Sequence, residues 1–205
     1  MTGRILPLGE HGLLAELGGV DEVMRLYRAL DAARPPGVVD LVPAARTIAV
    51  TVDPAVLPLS RAHRWLESTS PAPDAGTDQD TIELRVRYDG ADLSEVARYL
   101  GVSEREVVAR HTASVWRVAF CGFAPGFGYL VTDHDQLTVP RRATPRTVVP
   151  AGSVGLAGEF SGVYPRSSPG GWQLIGSTDA VLWDPDAADP ALLRPGAAVR
   201  FVEEP

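Results

Sequence analysis

Residues 139–158 read VPRRATPRTVVPAGSVGLAG, and this stretch decides the fold of the second half of the chain. Pro140, Pro145 and Pro150 each fix φ and withhold a backbone donor, so no regular helix can pass through it. What remains is short apolar strands broken by proline and glycine, and the same texture runs from Ala113 onward: the pattern of a β-rich, barrel-like domain. Working outward, Leu93–Thr112 predicts two helices. Asp92 or Ser94 can cap the first, while Ser103 with Glu106 three residues on forms a capping box for the second, which ends near His111. Before them, Thr81 to Tyr88 places Ile82, Leu84, Val86 and Tyr88 on one side and Glu83, Arg85 and Arg87 on the other, a half-buried strand.

Residues 68–80, STSPAPDAGTDQD, have no apolar periodicity and the composition of a linker. The expected organisation is therefore a small α+β domain over 1–70, a linker over 71–80 and the β-barrel domain over 81–205. In the first domain strands are expected near Arg4–Leu8, Leu13–Leu17, Val38–Val42 and Thr47–Val52, with helices over Asp21–Ala33 and Leu59–Glu67. Val23, Leu26, Tyr27 and Leu30 share one helical face, which should lie on the sheet.

Composition removes several functions. All nineteen basic residues are arginine, so a Walker A loop, a pyridoxal Schiff base and a lysine nucleophile are impossible in this polypeptide. Cys121 is the single cysteine; it excludes an internal disulfide and a multi-cysteine metal site, and its apolar neighbours read as those of a buried thiol. The four histidines lie far apart, so no metal site is expected. A net charge of −7 disfavours a general nucleic-acid or anionic-membrane binder. No apolar run is long enough for a membrane helix and no signal peptide opens the chain, so the reading is cytoplasmic.

The charge is uneven. Residues 120–176 hold Asp133, Asp135 and Glu159 against Arg141, Arg142, Arg146 and Arg166, a balance of +1 that leaves −8 for the remainder. Three guanidinium groups within Arg141–Arg146, beside glycine-rich turns, suit a carboxylate or phosphate better than bulk solvent. Phe120, Phe123, Phe127, Tyr129, Tyr164 and Trp172 concentrate aromatic rings in the same region, some as core and some as pocket wall. His111 fits an acid–base role near neutral pH and equally a favourable contact with a helix C-terminus. Leu93–Thr112 also looks like a helix-turn-helix, but with Asp92 just before it the segment carries four acids (Asp92, Glu95, Glu104, Glu106) against three arginines (Arg98, Arg105, Arg110), which suits a structural hairpin better than a DNA reader. Ala151–Gly155 has the spacing of a nucleophile elbow without the following helix, so a turn between strands is expected.

At these residues a resemblance becomes specific. FCGFAPGFGYL (120–130), VPRRATPRTVVPAGSVGLAG (139–158), GVYPRSSPGGWQLIG (162–176) and LLRPGAAVRF (192–201) resemble the B-subunit family of 5-oxoprolinase, whose members are also called allophanate hydrolase subunit 1 and sporulation-kinase inhibitor. The resemblance implies a cyclophilin-like β-barrel after a small ferredoxin-like α+β domain. It implies two partners, one of them a homologous C-type subunit, the other an A-type one. The activity implied is that of an ATP-dependent amide or lactam hydrolase opening 5-oxoproline to glutamate, with this chain insufficient alone. ATP, accompanied by Mg²⁺, would be held by this chain or by a partner.

Carried over by position, His111, Arg142 and Arg146 fall on catalytic positions, and Phe123, Pro125, Gly126, Tyr129, Ser153, Pro169, Gly170, Trp172 and Gln173 on substrate-binding ones. Gly128 where the family usually has proline, Cys121, Glu159 and a shorter loop after Tyr88 are departures that bear on the substrate. Allophanate stands beside 5-oxoproline there, and inhibition of a histidine kinase by binding alone is the other class of function.

Overall fold

The computed structural model of the chain describes residues 3–73 and 81–204. The chain divides into two compact units, residues 1–78 and 79–205. Residues 74–80 of the expected linker lie outside the described residues.

In the first unit β1 (Ile5–Pro7), β2 (Gly12–Glu16), β3 (Val38–Pro43) and β4 (Thr47–Val52) form an antiparallel sheet in the order β1-β2-β4-β3, and α1 (Val20–Ala32) and α2 (Leu59–Ser68) cover one of its faces. Strand alternation sends Leu13, Ile48, Val50 and Val52 to that face, where they meet Val23, Leu26 and Leu30 of α1 and Ala62 and Leu66 of α2. Burying each such aliphatic side chain stabilises the unit by roughly 1.5–3 kcal/mol. The α+β class is as expected. The elements run β-β-α-β-β-α in chain order, where the ferredoxin-like motif alternates as β-α-β-β-α-β. The difference arises because β1 and β2 pair as a hairpin before any helix intervenes.

The second unit is built on a seven-stranded sheet. Its strands are β5 (Ile82–Val86), β6 (Trp116–Cys121), β7 (Gly128–Val131), β9 (Ser153–Ala157), β10 (Phe160–Val163), β12 (Gln173–Ser177) and β13 (Ala198–Glu203), in the order β12-β9-β10-β7-β6-β13-β5. Its two edges meet. Arg87, just past β5, exchanges backbone hydrogen bonds of 2.9 and 2.8 Å with Ser177 at the end of β12, so the sheet is a nearly closed barrel. Gly176 permits that approach, since a Cβ there would lie 2.5 Å from the Arg87 carbonyl oxygen. The Arg87 side chain ties the same seam to Asp179 and Glu204.

Each strand sends side chains such as Leu84, Val118, Leu130, Val154, Val163, Ile175 and Phe201 into one core, which α3 (Leu93–Leu100) and α4 (Glu104–Ala113) complete with Val96, Ala97, Val107 and Val108. The helical hairpin, turned by Gly101 at φ +70°, thus spends its apolar face on the barrel. Ser103 caps α4 through the Glu106 amide at 3.1 Å, but the Glu106 carboxylate pairs with Arg110 instead of returning to Ser103, so half of the expected capping box forms. Outside the barrel, β8 (Arg146–Val149) and β11 (Ser168–Gly170) pair as a two-stranded ribbon.

Candidate functional site

Alternation along the barrel strands gives the sheet an outer face with its own cluster. Tyr129, Ala157, Phe160 and Leu174 are neighbours in sequence of inward-facing Leu130, Leu156, Ser161 and Ile175, and they join Phe127, Val149, Tyr164 and Trp172 outside the barrel. A cavity of about 430 Å³ opens there, walled by Phe123, Phe127, Tyr129, Phe160, Tyr164 and Trp172, with Pro140, Arg141, Pro169 and Gly170 at its rim. That volume is within the range of small-molecule sites. Its rings brace one another edge to face: Phe127–Trp172 at 5.3 Å, Phe127–Tyr164 at 5.4 Å and Tyr129–Trp172 at 5.5 Å between centroids. Gly170 belongs here because a Cβ would stand 2.3 Å from the Tyr164 hydroxyl.

Phe123 is the rim residue held under strain. Its φ of +67° is the one positive value for a non-glycine among the described residues, and its ring is 58% exposed beside Phe127 and Tyr164. Strain kept at so exposed a residue, over a cavity, makes Phe123 a candidate functional position. Phe123→Gly is expected to leave unfolding stability within about 1 kcal/mol of the parent, because relief of the left-handed strain offsets the added chain entropy. It should weaken ligand binding by ~10-fold through loss of the ring. Urea denaturation and calorimetric titration read the two effects separately.

The arginine cluster takes a different form from the one expected. Arg142 and Arg146 do converge, but on a carboxylate of the chain itself: Asp92 Oδ1 accepts from both, at 2.6 and 2.7 Å, and Oδ2 accepts the Leu174 amide at 2.7 Å. Asp92 is 2% exposed. It occupies the N-cap position of α3, but its side chain does not cap the helix, because the two guanidinium groups and the β12 amide satisfy it instead. Burial alone would raise the Asp92 carboxyl, yet the hydrogen bonds from Arg146 and Leu174, with the charges of Arg146 and Arg142, hold it below the usual carboxylate range. Arg142 and Arg146 therefore tie the loop after Pro140 to the barrel, and neither lines the cavity. Arg141 lines it.

His111 is also elsewhere. It is fully buried inside the barrel, its Nδ1 2.8 Å from the Tyr88 hydroxyl, its Nε2 2.9 Å from Ser161 Oγ and its ring 4.2 Å from that of Phe201. Ser161 faces inward and its neighbour Phe160 outward, so the sheet itself separates His111 from the cavity. Burial pushes its pKa down to about 3, leaving a neutral ring with both nitrogens engaged. The geometry is that of a core histidine joining α4 to β10. It is not that of an acid or base at the cavity.

Comparison with known proteins shows the family. The family described as "Carboxyltransferase domain, subdomain C and D" matches residues 3–193. A 5-oxoprolinase B subunit of Escherichia coli O157:H7 is 46% identical over 177 residues, 82% of this chain and 79% of that protein. The chain belongs to the B-subunit family of 5-oxoprolinase. A Haemophilus influenzae member of the same name is 48% identical over 60% of this chain and 59% of its own length. The crystal structure of TTHA0988 superposes on 95% of this chain at a TM-score of 0.79 and 39% identity, and the chain spans 40% of that longer polypeptide.

Of the residues carried over from the family, Phe123, Tyr129, Pro169, Gly170 and Trp172 meet at the cavity. Gln173 is buried beside it, its amide donating to the Pro140 carbonyl at 3.2 Å. Pro125 and Gly126 shape the loop under Phe123 without lining the cavity; at Gly126 (φ +82°) a Cβ would meet that of Trp183 at 2.8 Å. Ser153 opens β9, is 6% exposed and does not line the cavity; no helix follows it, so the elbow geometry is absent. Sequence reasoning missed Asp92 as the anchor of two arginines and Arg141 as the cavity cation. Cys121 is half-buried with its thiol 3.5 Å from the Leu193 carbonyl, and burial pushes its pKa up, away from nucleophilic use.

The same inventory bears on ATP and Mg²⁺. The cavity presents one guanidinium and no carboxylate, and among the described residues no group of three His, Cys, Asp or Glu side chains could hold a cation. These residues do not fit a magnesium triphosphate. They fit a small ligand of low charge with an apolar body. No helix among the described residues is long and apolar enough to cross a membrane.

Proposed function

We propose that this chain is the B subunit of an ATP-dependent 5-oxoprolinase, a cyclic amide hydrolase that converts 5-oxoproline to glutamate. Its barrel unit, residues 81–205, is of the cyclophilin-like type and supplies a substrate pocket. Two further subunits, a homologous C-type chain and an A-type chain, complete the enzyme, and the B-type chain alone does not turn over. The observation that carries this reading is the aromatic cavity with Arg141 at its rim, assembled from the segments that most resemble the family.

A lactam resists hydrolysis because amide resonance weakens its carbonyl as an electrophile. ATP with Mg²⁺, bound by a partner subunit, would supply activation of that carbonyl oxygen. What this chain contributes is position: the braced rings hold the lactam ring away from bulk water, and the Asp92–Arg142–Arg146 clamp fixes the loop that carries Arg141. Holding a substrate in one orientation beside a partner's reactive groups removes a large entropic part of the barrier. The assignment is consistent with the cytoplasm as the place of action, where ATP is abundant.

The test is reconstitution. The chain, expressed with its C- and A-type partners, is expected to give ATP hydrolysis that depends on 5-oxoproline, and omission of the chain is expected to abolish that dependence. Unchanged turnover without it removes the assignment. Activation by allophanate in place of 5-oxoproline would move the assignment to a urea-derived amide.

A further inference from the structure

Arg141 differs from its two neighbours in what it has to bind. Arg142 and Arg146 are both paired with Asp92, and Arg142 also with Glu95 at 3.9 Å, whereas Arg141 makes no hydrogen bond or ion pair among the described residues and stands exposed at the cavity rim. Its guanidinium lies beside Gly171. Nη2 and Nε lie 3.6 and 3.7 Å from where Gly171 would carry a Cβ, with Pro145 on the same side. The next residue is pinned twice, by its amide to the Gly171 carbonyl at 2.8 Å and by its side chain to Asp92. The charge acts on the cavity: it works against the rise that burial imposes on the Tyr129 and Tyr164 hydroxyls. Every other lining side chain is apolar or aromatic.

An unpaired guanidinium over an aromatic chamber recognises an anion with a flat apolar body, and its planar fork matches a carboxylate in two parallel hydrogen bonds. A chain with a net charge of −7 gains no such attraction from its general field, so the selectivity is local. We propose that Arg141 is the specificity-determining residue of this cavity, taking the carboxylate of a small cyclic acid whose ring lies among Tyr129, Phe160 and Trp172. This rests on the proposed function for the identity of the acid, and on the geometry for the carboxylate. Arg142 and Arg146 are positioning residues that act through the loop.

The experiment measures calorimetric binding of three probes to the full chain, alone and in complex with its partner subunits: 5-oxoproline, cyclopentanecarboxylate, which keeps the charge without the lactam, and 2-pyrrolidinone, which keeps the lactam without the charge. Both carboxylates are expected to bind at least ~10-fold more tightly than 2-pyrrolidinone. Arg141→Gln should lower their affinity by ~10- to 100-fold, leave 2-pyrrolidinone unchanged and leave the thermal midpoint unmoved, with Arg141→Lys recovering part of the loss. In the complex, Arg141→Gln should raise KM by the same factor with kcat nearly constant, the signature of a binding residue. Failure of both carboxylates to bind, or affinities indifferent to Arg141→Gln, overturns the proposal. Arg141-dependent binding of cyclopentanecarboxylate with no binding or turnover of 5-oxoproline would keep carboxylate recognition and discard the 5-oxoprolinase reading.

Discussion

Asp92→Ala is expected to destabilise the barrel unit by about 3 kcal/mol or more, a large share of the total stability of a domain this size. The carboxylate is 3% exposed while its partners Arg142 and Arg146 retain 28% and 23% exposure, so its removal strands two guanidinium groups against each other and leaves the Leu174 amide without an acceptor. Water reaching the partly exposed arginines keeps the loss near the lower end of what a broken buried pair costs. Arg142→Ala and Arg146→Ala should each cost less, about 1–2 kcal/mol, because the remaining arginine and the amide still hold Asp92. A double-mutant cycle in urea separates these contributions. A cost below about 1 kcal/mol for Asp92→Ala would show that the clamp is not structural. The sign of its pH dependence follows from the lowered pKa. The stabilisation is complete above the unfolded carboxyl value near 4 and is lost as pH falls through the lower folded value.

The second large effect belongs to His111 and begins at higher pH. Its folded pKa of about 3 lies well below its ordinary 6.5. Between those values the unfolded chain binds a proton that the folded chain refuses, so stability must fall as the solution is acidified through that window. The limiting slope is about 1.4 kcal/mol per pH unit, and no contribution from this group remains to be gained above pH ~6.5. His111→Gln keeps a polar side chain beside Tyr88 and Ser161 but cannot take up the proton. Between about pH 6 and 4 its stability should therefore fall less steeply by close to one proton, measured from urea midpoints or from proton uptake on unfolding. An acid limb identical to that of the parent would place the refused proton on another group.

Much of the fold could be read before any coordinates. Val23, Leu26 and Leu30 announce α1 because a helix repeats its buried face every three to four residues. The prolines at 140, 145 and 150 confine the neighbouring chain to short strands. These are local signals. What escaped is everything decided by pairing at a distance. Asp92 precedes a helix, and a local reading gives it a capping role; its real partners lie 50, 54 and 82 residues away. Arg141 and Arg142 are adjacent in sequence, so no composition argument could say which would face the cavity and which would be consumed by a carboxylate. That choice depends on how the loop is laid against Gly171. The inward position of His111 was equally hidden, because it follows from the register that turns Ser161 toward the barrel and Phe160 away.

The seam between Arg87 and Ser177 has a consequence for assembly. At that bridge the two edges satisfy each other's amide and carbonyl, so a neighbouring strand cannot pair with either of them at that point. Main-chain pairing stays available in the amino-terminal unit, where β1 and β3 each border the four-stranded sheet.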